Sequence, residues 1–160
     1  MERIFRFDTV IEYNVLNNHE TLYPLVSVID FSKANPRSWG GQKRVRIYYG
    51  MYCIFLKDVK CGDIKYGRNY YDYQEGTLVF IAPGQVMELE NDGNVYQPKG
   101  HALVFHPDLI RGTALAKTIH DYHFFSYNSN EALHLSELDR QIGLFKQRVG
   151  YTPNEYKSLN

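Results

Sequence analysis

The chain has 160 residues, 44% of them apolar, and eighteen Lys plus Arg against eighteen Asp plus Glu give it zero formal net charge. That length and composition support a folded domain with a substantial core rather than a disordered chain. The even charge balance argues against an autonomous nucleic-acid binder, which presents a strongly basic face.

The first twenty residues mix polar and apolar types, and residues 17–20 (NNHE) read as a loop. Residues 22–31 (LYPLVSVIDF) are expected as a first strand, with Pro24 near its start, where a missing donor is tolerated. Residues 32–42 (SKANPRSWGGQ) are rich in turn formers and make a loop that carries Trp39. Residues 44–57 (RVRIYYGMYCIFLK) form a long β-rich run in which Gly50 marks a bulge or bend. Short strands are expected at 64–66 and 69–74, then at 77–82 (TLVFIA), 86–90 (VMELE) and 99–106 (KGHALVFH). Short strands punctuated by Gly or Pro at such intervals predict a β-sandwich or barrel.

The pattern changes at Pro107. Residues 108–118 (DLIRGTALAKT) suit a short helix despite Gly112, and 123–127 (HFFSY) suit a returning strand. Ser136 is a good N-cap, with Asp139 three residues on. Leu138, Ile142, Phe145 and Val149 then lay one apolar stripe along a helix over 138–149, which Gly150 and Pro153 terminate. The N-terminal MERIFRF lacks the apolar core of a signal peptide, and no run approaches the ~18 apolar residues of a membrane span. A cytoplasmic protein is expected. Cys53 and Cys61 match no zinc spacing and make no disulfide framework, so both are expected as reduced thiols.

Several segments resemble known families. Residues 76–91 (GTLVFIAPGQVMELEN) resemble the second cupin motif, in which a Pro-Gly turn is followed by a histidine; here Met87 holds that position and Asn91 matches the motif's later Asn. Residues 100–113 (GHALVFHPDLIRGT), with 124–127 and 130–137, resemble the sensor domains of AraC-type regulators of a Bacteroides-like group. Residues 145–156 (FKQRVGYTPNEY) are similar to the close of the AraC/XylS DNA-binding domain, whose FKxxxGxxPxxY pattern ends its second helix-turn-helix. The bulk of that domain, which should separate the two parts, is missing.

The resemblance implies a mainly β chain: a cupin double-stranded β-helix, or jelly-roll barrel, followed by C-terminal α-helices. Residues 1–130 would be the effector-binding sensor domain. Residues 131–160 would be a helical dimerisation segment joined to a remnant of the DNA-binding domain. The implied function is the sensor part of a transcription regulator. Sequence-specific DNA binding is expected of a complete regulator and not of this chain alone. Lys146, Arg148 and Lys157 would be remnants of the backbone-contacting surface, and three cations make only a weak, non-specific contact. The stripe Leu138, Ile142, Phe145 and Val149 packs either on its own barrel or across a two-fold homodimer.

Cupin enzymes bind a metal through an H-x-H pair, a Glu and a later His. This sequence has no H-x-H, Met87 replaces the later His, and His101 and His106 are five apart, on opposite faces of a regular strand. No G-x-S-x-G elbow or P-loop occurs, and Cys53 has no His at fixed spacing. Glu88 and Glu90 share a strand face and read as a solvated pair. Neither an enzyme, a metal nor a cofactor is expected. Met87 should point inward with Trp39, Tyr49, Met51, Tyr52, Tyr71, Tyr73 and His101 as neighbours. These side chains either line a cavity for a small effector, such as a sugar or small acid, or simply fill the barrel. The alternative function is a stand-alone, metal-free cupin that binds a small molecule.

Overall fold

The computed structural model describes residues 3–57, 64–66, 69–71, 77–90, 93–95, 97–122, 125 and 133–134. The chain opens with strand β1 (Ile4–Phe7) and helix α1 (Val10–Leu16), neither of which was expected from the sequence. Thr9 starts the helix with a capping box. Its hydroxyl accepts the Glu12 N–H at 3.2 Å, and the Glu12 carboxylate accepts the Thr9 N–H at 3.1 Å.

The strands that follow are β2 (Val26–Asp30), β3 (Arg44–Tyr49), β4 (Tyr52–Lys57), β5 (Ile64–Tyr66), β6 (Asn69–Tyr71), β7 (Thr77–Ile81), β8 (Gln85–Glu90), β9 (Gly100–Phe105) and β10 (Leu133–His134). Most fall within a residue or two of the expected runs. Two differ. The strand expected from residue 22 begins only at Val26. The expected run 44–57 is two strands, each in a different sheet. The break is at Gly50, whose N–H donates to the Phe7 carbonyl at 2.8 Å. The helix expected over 108–118 is also divided. A 3₁₀ turn at Pro107–Leu109 and helix α2 (Ala114–Thr118) flank Gly112, whose φ of 79° no continuous helix accommodates.

Among the described residues the strands make two five-stranded sheets, in the orders β1-β3-β8-β5-β6 and β10-β7-β4-β9-β2. β2 pairs with β9, β3 with β8, β4 with β7, and β5 with β6, all antiparallel. β9–β4 and β8–β5 pairs complete the interiors of the two sheets. β1 joins β3 in parallel. The protein is mainly β.

The inner faces of the sheets meet in one hydrophobic cluster. Val45, Ile47, Tyr49 and Met87 come from the first sheet; Ile29, Cys53, Phe55, Val79, Ile81, Ala102 and Val104 come from the second. Phe7, Val10, Tyr13 and Phe31 close it at the α1 end. There Tyr13 lies edge-on to Phe7 (5.5 Å) and to Tyr49 (5.8 Å), and Tyr49 edge-on to Phe55 (5.9 Å).

Among the described residues no helix is long and apolar enough to cross a membrane. The expected helix over 138–149 lies outside the described residues, as does most of the segment 131–160; of the expected strand 123–127 only Phe125 is described, and its N–H closes a turn onto the Tyr122 carbonyl at 3.0 Å instead.

Candidate functional site

The register of the first sheet arranges its inward side chains in rows. Phe7, Tyr49 and Gln85 form one; Phe5, Ile47 and Met87 the next; Val45 and Leu89 the third. The first row lies against α1 and is buried throughout. Gln85 is satisfied there, because its Oε1 accepts the Ala82 N–H at 2.7 Å. Farther along, the rows end in the half-buried Phe5 and Leu89, and Trp39 packs edge-on against Phe5 at 5.0 Å. Phe5, Trp39 and Leu89 are thus half-buried against the core, whereas the row beside α1 is buried throughout.

Four of the expected lining residues meet this layer. Tyr49, Met51 and Met87 are buried within it, and Trp39 sits at its half-exposed end. Met87 points inward from β8, between Ile47 and the backbone of Tyr66 in register. Two expected residues do not meet it. Tyr52 precedes the inward Cys53 and so points outward, where it stacks on Phe105 at 5.0 Å. His101 precedes the inward Ala102 and is exposed on the same outer face. Strand alternation is the reason in both cases. Tyr71 is described only as part of β6, and Tyr73 lies outside the described residues, as do Leu138, Ile142, Phe145, Val149, Lys146, Arg148 and Lys157.

Cys53 is fully buried, and burial pushes its thiol well above its ordinary range. That is the environment of an inert thiol rather than of a nucleophile. Glu88 is engaged by arginines, with Arg46 Nε at 3.2 Å and Arg44 Nε at 3.8 Å. Among the described residues no three His, Cys, Asp or Glu side chains are grouped so as to hold a metal ion.

A polar cluster that sequence reasoning missed lies beneath the loop following β2. Asn14 and Asn17, on and just after α1, are buried. Asn17 Nδ2 donates to the Tyr13 carbonyl at 2.8 Å, Asn14 Nδ2 to Thr21 Oγ1 at 3.0 Å, and Arg37 Nη2 to Asn17 Oδ1. The Arg37 guanidinium also lies over the Phe31 ring at 5.8 Å. Asn14 Oδ1 and Arg37 Nε are buried without a partner. One acceptor and one donor in this region are thus left without a partner. The sequence signal available for this region was the Thr9-x-x-Glu12 capping box, which announces the helix that carries both asparagines.

Comparison with family models, with curated proteins and with solved structures gives no match.

Proposed function

We propose that this chain is the effector-binding sensor part of an AraC-type transcription regulator, built on a cupin jelly roll. The observation that carries the reading is the nesting of eight antiparallel strands, β2 to β9. The first pairs with the eighth, the second with the seventh, the third with the sixth and the fourth with the fifth. A long hairpin rolled into two sheets gives that pattern, which is the jelly-roll arrangement. The sequence resemblance supplies the family, and the nested pairing supports the barrel it implies.

Met87 supports a sensing rather than a catalytic interior. In the resemblance its position belongs to a metal-binding histidine, and here a thioether is packed there against Ile47. An effector would enter at the end marked by Trp39, Phe5 and Leu89. Aromatic and aliphatic walls there suit a small, partly apolar molecule. The proposal includes a homodimer in the cytoplasm, and DNA contact only through the missing helix-turn-helix domain.

Trp39 is the one tryptophan of the sequence, so its emission reports on this end of the layer. In a screen of sugars and small acids, an effector should shift Trp39 emission and raise Tm together. A ligand at a hundred times its Kd stabilises by about 2.7 kcal/mol. A ligand that raises Tm with no change in Trp39 emission would refute the location of the site. Tight, sequence-specific DNA binding by this chain alone would refute the assignment of DNA reading to the missing domain. A neighbouring reading frame encoding the missing helices favours the regulator over a stand-alone cupin binder.

A further inference from the structure

The two outer faces of the protein differ in chemistry. On the first sheet Arg44 and Arg46 reach Glu88, and Arg6 lies over the Tyr48 ring at 4.3 Å, as expected of a solvated face. On the second sheet an apolar row crosses four strands in register: Val28 opposite Leu103, Leu103 opposite Ile54, and Ile54 opposite Phe80. Tyr52 and Phe105 stack beside it. Val28 is 64% exposed and Leu103 37%. An antiparallel sheet with one face on the core ordinarily turns polar side chains outward. A continuous apolar face marks a contact surface.

Two features indicate what covers it. The Phe125 ring, after the last described helix, already sits on this face, edge-on to Tyr52 at 5.3 Å and to Phe80 at 5.5 Å. β10 then pairs with β7, so at His134 the chain leaves from the edge of this same sheet. The stripe Leu138, Ile142, Phe145 and Val149 begins four residues later. A helix over 138–149 would be about 18 Å long, enough to cross the roughly 14 Å from β7 to β2.

We propose that the stripe Leu138, Ile142, Phe145 and Val149 docks on the outer face of β7-β4-β9-β2 of its own chain, over Val28 and Leu103. This assigns the stripe to the barrel and leaves the two-fold contact of the proposed dimer to other surfaces. It holds or fails independently of the effector.

The test is cross-linking in the full chain with Cys61→Ser, leaving Cys53 buried. Val28→Cys with Phe145→Cys is treated with a short bis-maleimide, using a mixture of isotope-labelled and unlabelled protein. Tethering places two such thiols at an effective concentration near millimolar. The expected result is a 28–145 link within single chains, in at least roughly tenfold excess over a 48–145 link from Tyr48→Cys on the opposite sheet. Leu103→Cys with Ile142→Cys repeats the measurement if the first pair does not fold. Links joining labelled to unlabelled chains would overturn the proposal in favour of a second copy. Full labelling of both thiols without a link would overturn it outright.

Discussion

Cys53 illustrates how a single inward position settles a side chain's chemistry. It faces the core from β4, its Sγ lies 3.8 Å from the Met51 carbonyl, and burial raises its pKa. A thiol that stays protonated in the fold contributes stability below its unfolded pKa of roughly 8.5, and loses that contribution as pH rises toward the folded value. Urea denaturation should therefore show stability falling above about pH 8.5, with the fall reduced in Cys53→Ala. In Cys61→Ser protein the native thiol should resist a disulfide reagent and react fully in guanidinium. Rapid native reaction would contradict its burial. The residue scale is also where the sequence was hardest to read. Tyr49, Met51, Cys53 and Phe55 all face inward, so alternation runs on even though the chain changes sheet between them, and Tyr52 must point out. His101 is outward by the same alternation, one residue before Ala102. An aromatic or imidazole ring looks like pocket lining in a sequence, and only the phase of its strand says otherwise.

At the scale of elements, α1 was missed for a definable reason. Val10, Tyr13, Asn14 and Asn17 occupy the i, i+3, i+4 and i+7 positions of one helical face, all of it buried. Two of the four are asparagines, so a search for apolar periodicity sees only half the stripe. The β3–β4 junction was legible as a bend at Gly50, but not as a change of sheet. A Cβ at residue 50 would lie 2.9 Å from Asp8 Oδ1 and 3.0 Å from the Asp8 Cα. The carboxylate could swing away, whereas the Cα belongs to the chain joining β1 to α1 and can yield only if that connection moves. Gly50→Ala should therefore cost about 1–3 kcal/mol by chemical denaturation, the range for overpacking. Gly41→Ala, with nothing within 4 Å of the added carbon, should stay within about 0.5 kcal/mol of the parent. Equal effects at the two sites would mean that the Phe7–Gly50 contact does not fix the junction.

For the whole molecule, most strands between β2 and β9 were legible from their own residues, while their partners were not. Alternation in RVRIYY and QVMELE describes a sheet with one wet side, and these runs became β3 and β8. The nearly unbroken apolar runs in YCIFLK, TLVFI and GHALVF describe strands covered on both sides. They became β4, β7 and β9, whose outer face is the apolar one. Pairing depends on contacts between distant segments, which no local pattern encodes. Val26–Asp30 must find Gly100–Phe105, and Arg44–Tyr49 must find Gln85–Glu90, before either sheet has an interior. Closing such long loops costs entropy that no local contact offsets, so folding should be slow for a chain of this size. Stopped-flow refolding from urea should show its main phase between about a millisecond and seconds. Ile29→Val, which removes one methylene from the row β2 shares with β9, should destabilise by about 0.5–1.5 kcal/mol. If that pairing forms late, the loss will appear as faster unfolding with the refolding rate nearly unchanged. A main phase faster than about 100 microseconds would mean that local contacts, and not the nested pairs, direct the fold.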